Sequence, residues 1–169
     1  MKIRQASSDD IAALVEIDRK SFGETGATKE FFLERLSLFP QGVLVSQEQG
    51  RITGFSIITL IEKDEIPLSF SSLKLDLPLR GKSMFSIAFT TQGNYLDKAN
   101  DAKLLREAEH VAKRNGCVEA FVELSKDHPH ASNGAYEFWE ANGYKKCGTI
   151  NWEGPMGVIP CYLLRNNLE

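Results

Sequence analysis

Cysteine is scarce in this chain: Cys117, Cys147 and Cys161 are the only three among 169 residues, an odd and widely spaced set. No C-x-x-C spacing occurs, which speaks against a structural zinc site, and no metal ligand set is expected. Three reduced, mostly buried thiols are the simplest reading. An excess of basic charge is missing too. The formal net charge of −3 argues against a general nucleic-acid binder, so no nucleic-acid partner is expected. No apolar run approaches the length needed to cross a bilayer, and no membrane partner is expected. The opening residues MKIRQASSDD turn polar at once, unlike a secretory signal, which points to the cytoplasm. One further absence is local. Between Gly93 and Gly116, where a loop runs into a helix, there is no glycine.

What is present fits one folded unit, residues 1–169, with hydrophobic residues at 42% and charged residues at 25%, enough to build a substantial core. Met1 to Ala6 reads as a short strand. Ser7 and Asp10 form a capping pair, after which Ile11, Leu14, Val15, Asp18 and Phe22 recur at helical spacing. GETGAT breaks that helix, Thr28 caps a second with Phe32, Leu36 and Phe39 on one face, and Pro40 stops it. Residues 43–46 and 51–62 around the turn EQG read as an antiparallel hairpin. Residues 63–83 have prolines, mixed polarity and no period, and read as a long irregular connection.

MFSIAFT, at 84–90, is the next strand. The following helix carries Leu104, Leu105, Ala108, Val111 and Ala112 as one stripe and ends at Gly116. CVEAFVEL, at 117–124, has the near-continuous apolar character of a covered strand. A helix with Ala135, Phe138, Trp139 and Asn142 follows and ends at Gly143. KKCGTINW and VIPCYLLR form a closing hairpin around EGPMG. The predicted fold is α/β: a mixed, mostly antiparallel sheet of six to seven strands with helices on both faces.

That order resembles the GNAT superfamily of N-acetyltransferases over nearly the whole chain. IRQASSDDIAALVEIDRKSF is similar to the family's first strand and helix, and VLVSQEQGRITGFSII to its hairpin with a glycine, here Gly54. AYEFWEANGY resembles its late helix. The resemblance implies acetyl-CoA as acyl donor and an amine, on a small molecule or a protein, as acceptor. It also implies that the donor's pyrophosphate lies at the start of a helix beginning near residue 101. There the family's loop carries Arg or Gln and two glycines; this chain has Leu96, Ala99 and Asp101, and only the preceding aromatic, Tyr95, still matches. Leu96, Asp97, Lys98, Ala99, Asn100 and Asp101 are thus the implied phosphate-side residues. Phe89, Thr90 and Thr91, or the residues two positions earlier, would offer backbone groups to the pantetheine arm; Ser132 would touch the cofactor, and Trp139 would pack either against it or in the core.

Asp101 is the serious change. A carboxylate near a helix start can accept the free N–H groups itself, either as an ordinary cap or in the ligand's place. One unit charge roughly 5 Å from a phosphate, at an effective dielectric of about 20, repels it by about 3 kcal/mol. That is around a hundredfold in affinity.

Amine acetylation needs a neutral amine, an oxyanion partner and a proton for the departing thiolate. Where many family members have Phe-Tyr, this chain has Phe138-Trp139, and an indole N–H is no general acid. Tyr136 and Glu123 are therefore the catalytic candidates. Alternation along AFVEL makes Glu123 equally a solvated sheet-face charge. His128 and His130 read as a polar surface turn, and His110 lies on an exposed helix face. Three functional expectations stand: an acetyl-CoA-dependent N-acetyltransferase, a non-catalytic domain that kept the cleft and lost its phosphate grip, or transfer of a different acyl group or use of another ligand. Residues 66–79 are expected on the acceptor side, or packed against a second copy in a homodimer.

Overall fold

Capping chemistry starts the chain where the sequence placed it. β1 (Lys2–Gln5) leads into a short 3-10 turn in which the Asp10 carboxylate accepts from the Ser7 N–H at 2.8 Å and the Ser7 hydroxyl at 3.0 Å. Arg4 closes on the same carboxylate with two bonds of 2.7 and 2.8 Å and holds it down at about 2, well below the ordinary carboxylate range. α1 (Ile11–Phe22) follows and ends at Gly23, whose φ of 62° lies in the left-handed region that glycine adopts freely. Thr28 caps α2 (Lys29–Leu38) by accepting from the Phe31 N–H at 3.3 Å. Within α2, Phe32 and Arg35 are the buried pair, and Phe39 is buried just past its end.

The computed structural model describes residues 1–69, 81–91, 98–127, 134–154 and 157–168. β2 (Val43–Glu48), β3 (Arg51–Ile61), β4 (Ser83–Thr91), β5 (Glu119–Ser125), β6 (Lys145–Gly154) and β7 (Gly157–Asn167) join β1 in one sheet of seven strands. Their order is β1-β2-β3-β4-β5-β7-β6, and among these seven strands, as described, β4 and β5 are the pair that runs parallel. α3 (Lys98–Arg114) and α4 (Ala135–Ala141) complete the chain order.

Helices cover both faces, and the core is split accordingly. On one face α3 and α4 pack Leu104, Leu105, Ala108, Phe138 and Trp139 onto Met84, Phe89, Val122 and Leu124. On the other, Ile11, Leu14 and Ile17 of α1 and Phe32 of α2 pack onto Phe55, Ile57, Phe85, Ile87 and Phe121. The predicted α/β class, element order and helix placement match this architecture.

Two expectations need correction. α3 starts at Lys98, three residues earlier than placed, because Lys, Ala and Asn continue the helix without a breaker. Cys147 is exposed on β6, so only Cys117 and Cys161 are buried thiols. Among the described residues, no helix is long and apolar enough to cross a membrane, and no group of His, Cys, Asp and Glu could hold a metal.

Candidate functional site

Strands β4 and β5 pair over only four residues, Ser83↔Glu119 to Ser86↔Val122. Their closed end is pinned: the Ser83 hydroxyl donates to Glu119 at 2.8 Å, and Arg165 forms an ion pair with Glu119 at 2.7 Å. β4 nevertheless runs on to Thr91 and β5 to Ser125. Beyond Ser86 and Val122 the two neighbours are no longer a ladder, and the sheet opens into a fork.

A bulge lies where the opening begins. Against β3, Ile57 pairs with Ala88 but Ile58 pairs with Ser86, so Ile87 is an extra residue on β4. Bulges bend a strand, end pairing and re-aim side chains. Phe85, Ile87 and Ala88 all pack on the α1–α2 side, whereas Phe89 crosses to the α3–α4 side. From there alternation resumes in the new phase. Thr90 lies beside Asp18 of α1, and the Thr91 hydroxyl donates to Asp101 of α3 at 3.3 Å.

Glu123 is the first residue of β5 past the last pair. Its neighbours Val122 and Leu124 belong to the α3–α4 core, so its own side chain faces α1 and α2. The carboxyl is half-buried beside the Cys161 thiol, whose S–H donates to the Ile159 carbonyl at 3.6 Å. Desolvation pushes its pKa up to about 8, and the neighbouring thiol only partly offsets this. Cys161 is pushed further, to about 12, by burial first and by the Glu123 carboxylate second. The thiol is thus protonated, while the carboxyl titrates near neutrality. Glu123 is no solvated surface charge.

Asp18 was legible only as one position of the α1 stripe. It is 5% exposed, accepts from the Ala27 N–H at 2.6 Å, lies beside the Thr90 hydroxyl, and is raised in pKa by burial. A carboxylate among Ile11, Leu14, Val15 and Phe22 was the available signal. Ile87 gave none, since MFSIAFTT is too uniformly apolar for a change of phase to show.

The other expected residues divide. Phe89 is buried and stacks on Phe138 with ring centroids 5.4 Å apart. Trp139 is 2% exposed and enclosed by Phe89, Phe138 and Tyr144, so its ring lies in the core under β4. The Tyr136 ring meets Tyr162 at 5.9 Å and its hydroxyl meets Glu140, which with burial raises its pKa. Ala99 is exposed on the first turn of α3, and Asn100 donates to Glu48 of β2 at 3.1 Å. Asp101 stands in that first turn, 8% exposed, rather than at the capping position before Lys98. Leu96, Asp97 and Ser132, the side chain of Lys98, and His128 and His130 lie outside the described residues.

No family model matches the sequence, and no curated protein matches it either. Solved structures do. The chain is similar to the GphF GNAT-like decarboxylase in complex with isobutyryl-CoA, with a TM-score of 0.83, 19% identity and 100% of both chains covered. It is similar to the loading GNATL domain of CurA from Lyngbya majuscula, with a TM-score of 0.80, 14% identity and 99% and 97% of the two chains covered. It is also similar to yncA, a putative acetyltransferase from Salmonella typhimurium with its cofactor acetyl-CoA. There the TM-score is 0.70 and the identity 18%, over 100% of this chain and 94% of the other.

Proposed function

We propose that the chain, which shares its fold with GNAT-type solved structures, is an acyl-CoA-dependent acyltransferase which acetylates a primary amine, on a small molecule or a protein. The observation that carries this reading is the fork: a bulged β4 leaves β5 after Ser86↔Val122, with an ionisable carboxyl at the branch point. An extended, amide-bearing arm can add to such an open edge as a short strand does. Relatives in the fold bound to isobutyryl-CoA and acetyl-CoA support an acyl-CoA as that arm.

In this reading the backbone of Phe89, Thr90 and Thr91 receives the pantetheine amides, and the first turn of α3 at Lys98, Ala99 and Asn100 receives the pyrophosphate, with Leu96 and Asp97 before it. Ser132 is proposed beside it. The residues fit in one respect that charge alone obscured: Asn100 is bonded to Glu48 and Asp101 to Thr91, both strand residues, and Ala99 adds only a methyl at the helix mouth. Bound acyl-CoA supplies an activated thioester carbonyl. Trp139 acts beneath Phe89 as packing rather than as a ligand.

Glu123 is the proposed base. It takes a proton from the acceptor ammonium, and a carboxylate poised near 8 is well matched to that task. Tyr136 is the candidate acid, but its bond to Glu140 makes it the weaker assignment, and holding amine and thioester side by side supplies much of the rate. Thiol release from acetyl-CoA over a panel of amines tests the reading. Wild type should turn over at least one amine with kcat/KM rising through pH 8, and Glu123→Gln should lose about a hundredfold or more. A flat pH profile with Glu123→Gln fully active removes the base.

A non-catalytic domain that kept the cleft is the alternative. The acidic first turn of α3 is what favours it, since Asp101 leaves a carboxylate close to where phosphates would bind.

A further inference from the structure

The stretch of β4 past the bulge has an unusual problem. β3 supports it on one side, at Ala88 to Thr91, but β5 has left it on the other. A strand supported on one edge is free to fray, yet an open edge that binds a ligand must hold its N–H and C=O groups in fixed places. Two successive threonines on this stretch point to opposite faces, and each meets a buried aspartate from a different helix layer. Thr90, 3% exposed, sets its hydroxyl beside the carboxylate of Asp18, which is 5% exposed and holds the Ala27 N–H of the α1–α2 connection at 2.6 Å. Thr91 donates to Asp101, 8% exposed, in the first turn of α3.

Room for this arrangement is built in. Gly54 pairs with Thr91 across β3–β4, and a Cβ there would lie 3.0 Å from Thr91 Cγ2 and 3.0 Å from the Thr90 carbonyl oxygen. At Gly26 a Cβ would lie 3.0 Å from Asp18 Oδ2. Each contact alone is ordinary satisfaction of a buried polar group. Opposed in sequence on the one stretch that lacks a β5 neighbour, they act together.

We infer that Thr90–Asp18 and Thr91–Asp101 are two opposed clamps that hold the open stretch of β4 between the helix layers, in the geometry its free edge needs to bind an acyl thioester. The inference rests on the acyl-CoA reading given above. Asp101 thereby gains a role different from a phosphate surrogate: it is a positioning residue, as are Asp18, Thr90 and Thr91 through their side chains. Removing Asp101 should loosen β4 rather than unmask a phosphate site.

Two readouts test this on the full chain: amide hydrogen exchange of Ala88 to Thr91, and acetyl-CoA affinity by calorimetry. Thr90→Val and Thr91→Val keep the shape and remove the hydroxyl; Thr90→Ser and Thr91→Ser keep the hydroxyl. The valine variants should exchange these amides at least tenfold faster and bind acetyl-CoA at least tenfold more weakly. The serine variants should stay within about threefold of wild type in both. Thr91→Val, at a half-exposed position, carries the comparison alone should Thr90→Val not fold. Unchanged exchange in the valine variants overturns the clamps, and so does faster exchange with unchanged affinity. Should wild type itself bind no acetyl-CoA at millimolar concentration, the functional reading fails. Exchange alone then decides whether the clamps exist.

Discussion

Glu123 carries a desolvation cost that its surroundings compensate only in part. Its carboxyl titrates at about 8 when folded, against 4.5 for the ordinary group. Between those values the folded chain keeps a proton that the unfolded chain has released, so this residue's contribution makes stability fall as pH rises from 4.5 to 8 and level off above. Glu123→Gln keeps the size and removes the titration. The variant should therefore gain thermal stability relative to wild type on going from pH 5 to pH 8. Melting temperatures at the two values give the comparison, and an equal difference at both would mean that the carboxyl is not desolvated. The same burial that suits Glu123 to proton transfer thus leaves a trace in stability even without a known acceptor.

At the scale of elements, β4 decides the site. The bulge at Ile87 changes the phase of the strand, sends Phe89 into the α3–α4 core and lets Thr90 and Thr91 face α1 and α3. Gly54→Val should push on this strand from β3, since its first added carbon already stands 3.0 Å from Thr91 Cγ2. A loss of about 1 to 3 kcal/mol is expected in urea unfolding, as for other overpacked sites. A variant as stable as wild type would show that β3 can move away without cost. Helices and hairpins were legible in the sequence because caps, glycines and apolar periods are local signals. Thr28, Gly23 and Gly116 mark ends that the backbone confirms. The bulge was not legible, because a buried strand that is apolar on both faces hides its phase. Asp18 and Cys161 were missed for a related reason. Each looks unremarkable in sequence and acquires meaning only when Thr90 and Glu123 arrive from other strands. Asp101 was singled out as unusual, but three residues of helix not foreseen moved it from the helix tip to the helix–sheet interface.

For the whole molecule, the two cores and the fork form one design. β4 and β5 are locked at one end by Ser83, Glu119 and Arg165 and open at the other, with α1 and α2 on one face and α3 and α4 on the opposite face. On the reading proposed above, a ligand entering the fork would meet the Glu123 carboxyl towards α1 and the start of α3 on the other face. Calorimetric titration of wild-type protein with acetyl-CoA at neutral pH tests this most directly. The account predicts one site with micromolar affinity. Absence of binding at millimolar acetyl-CoA would contradict it.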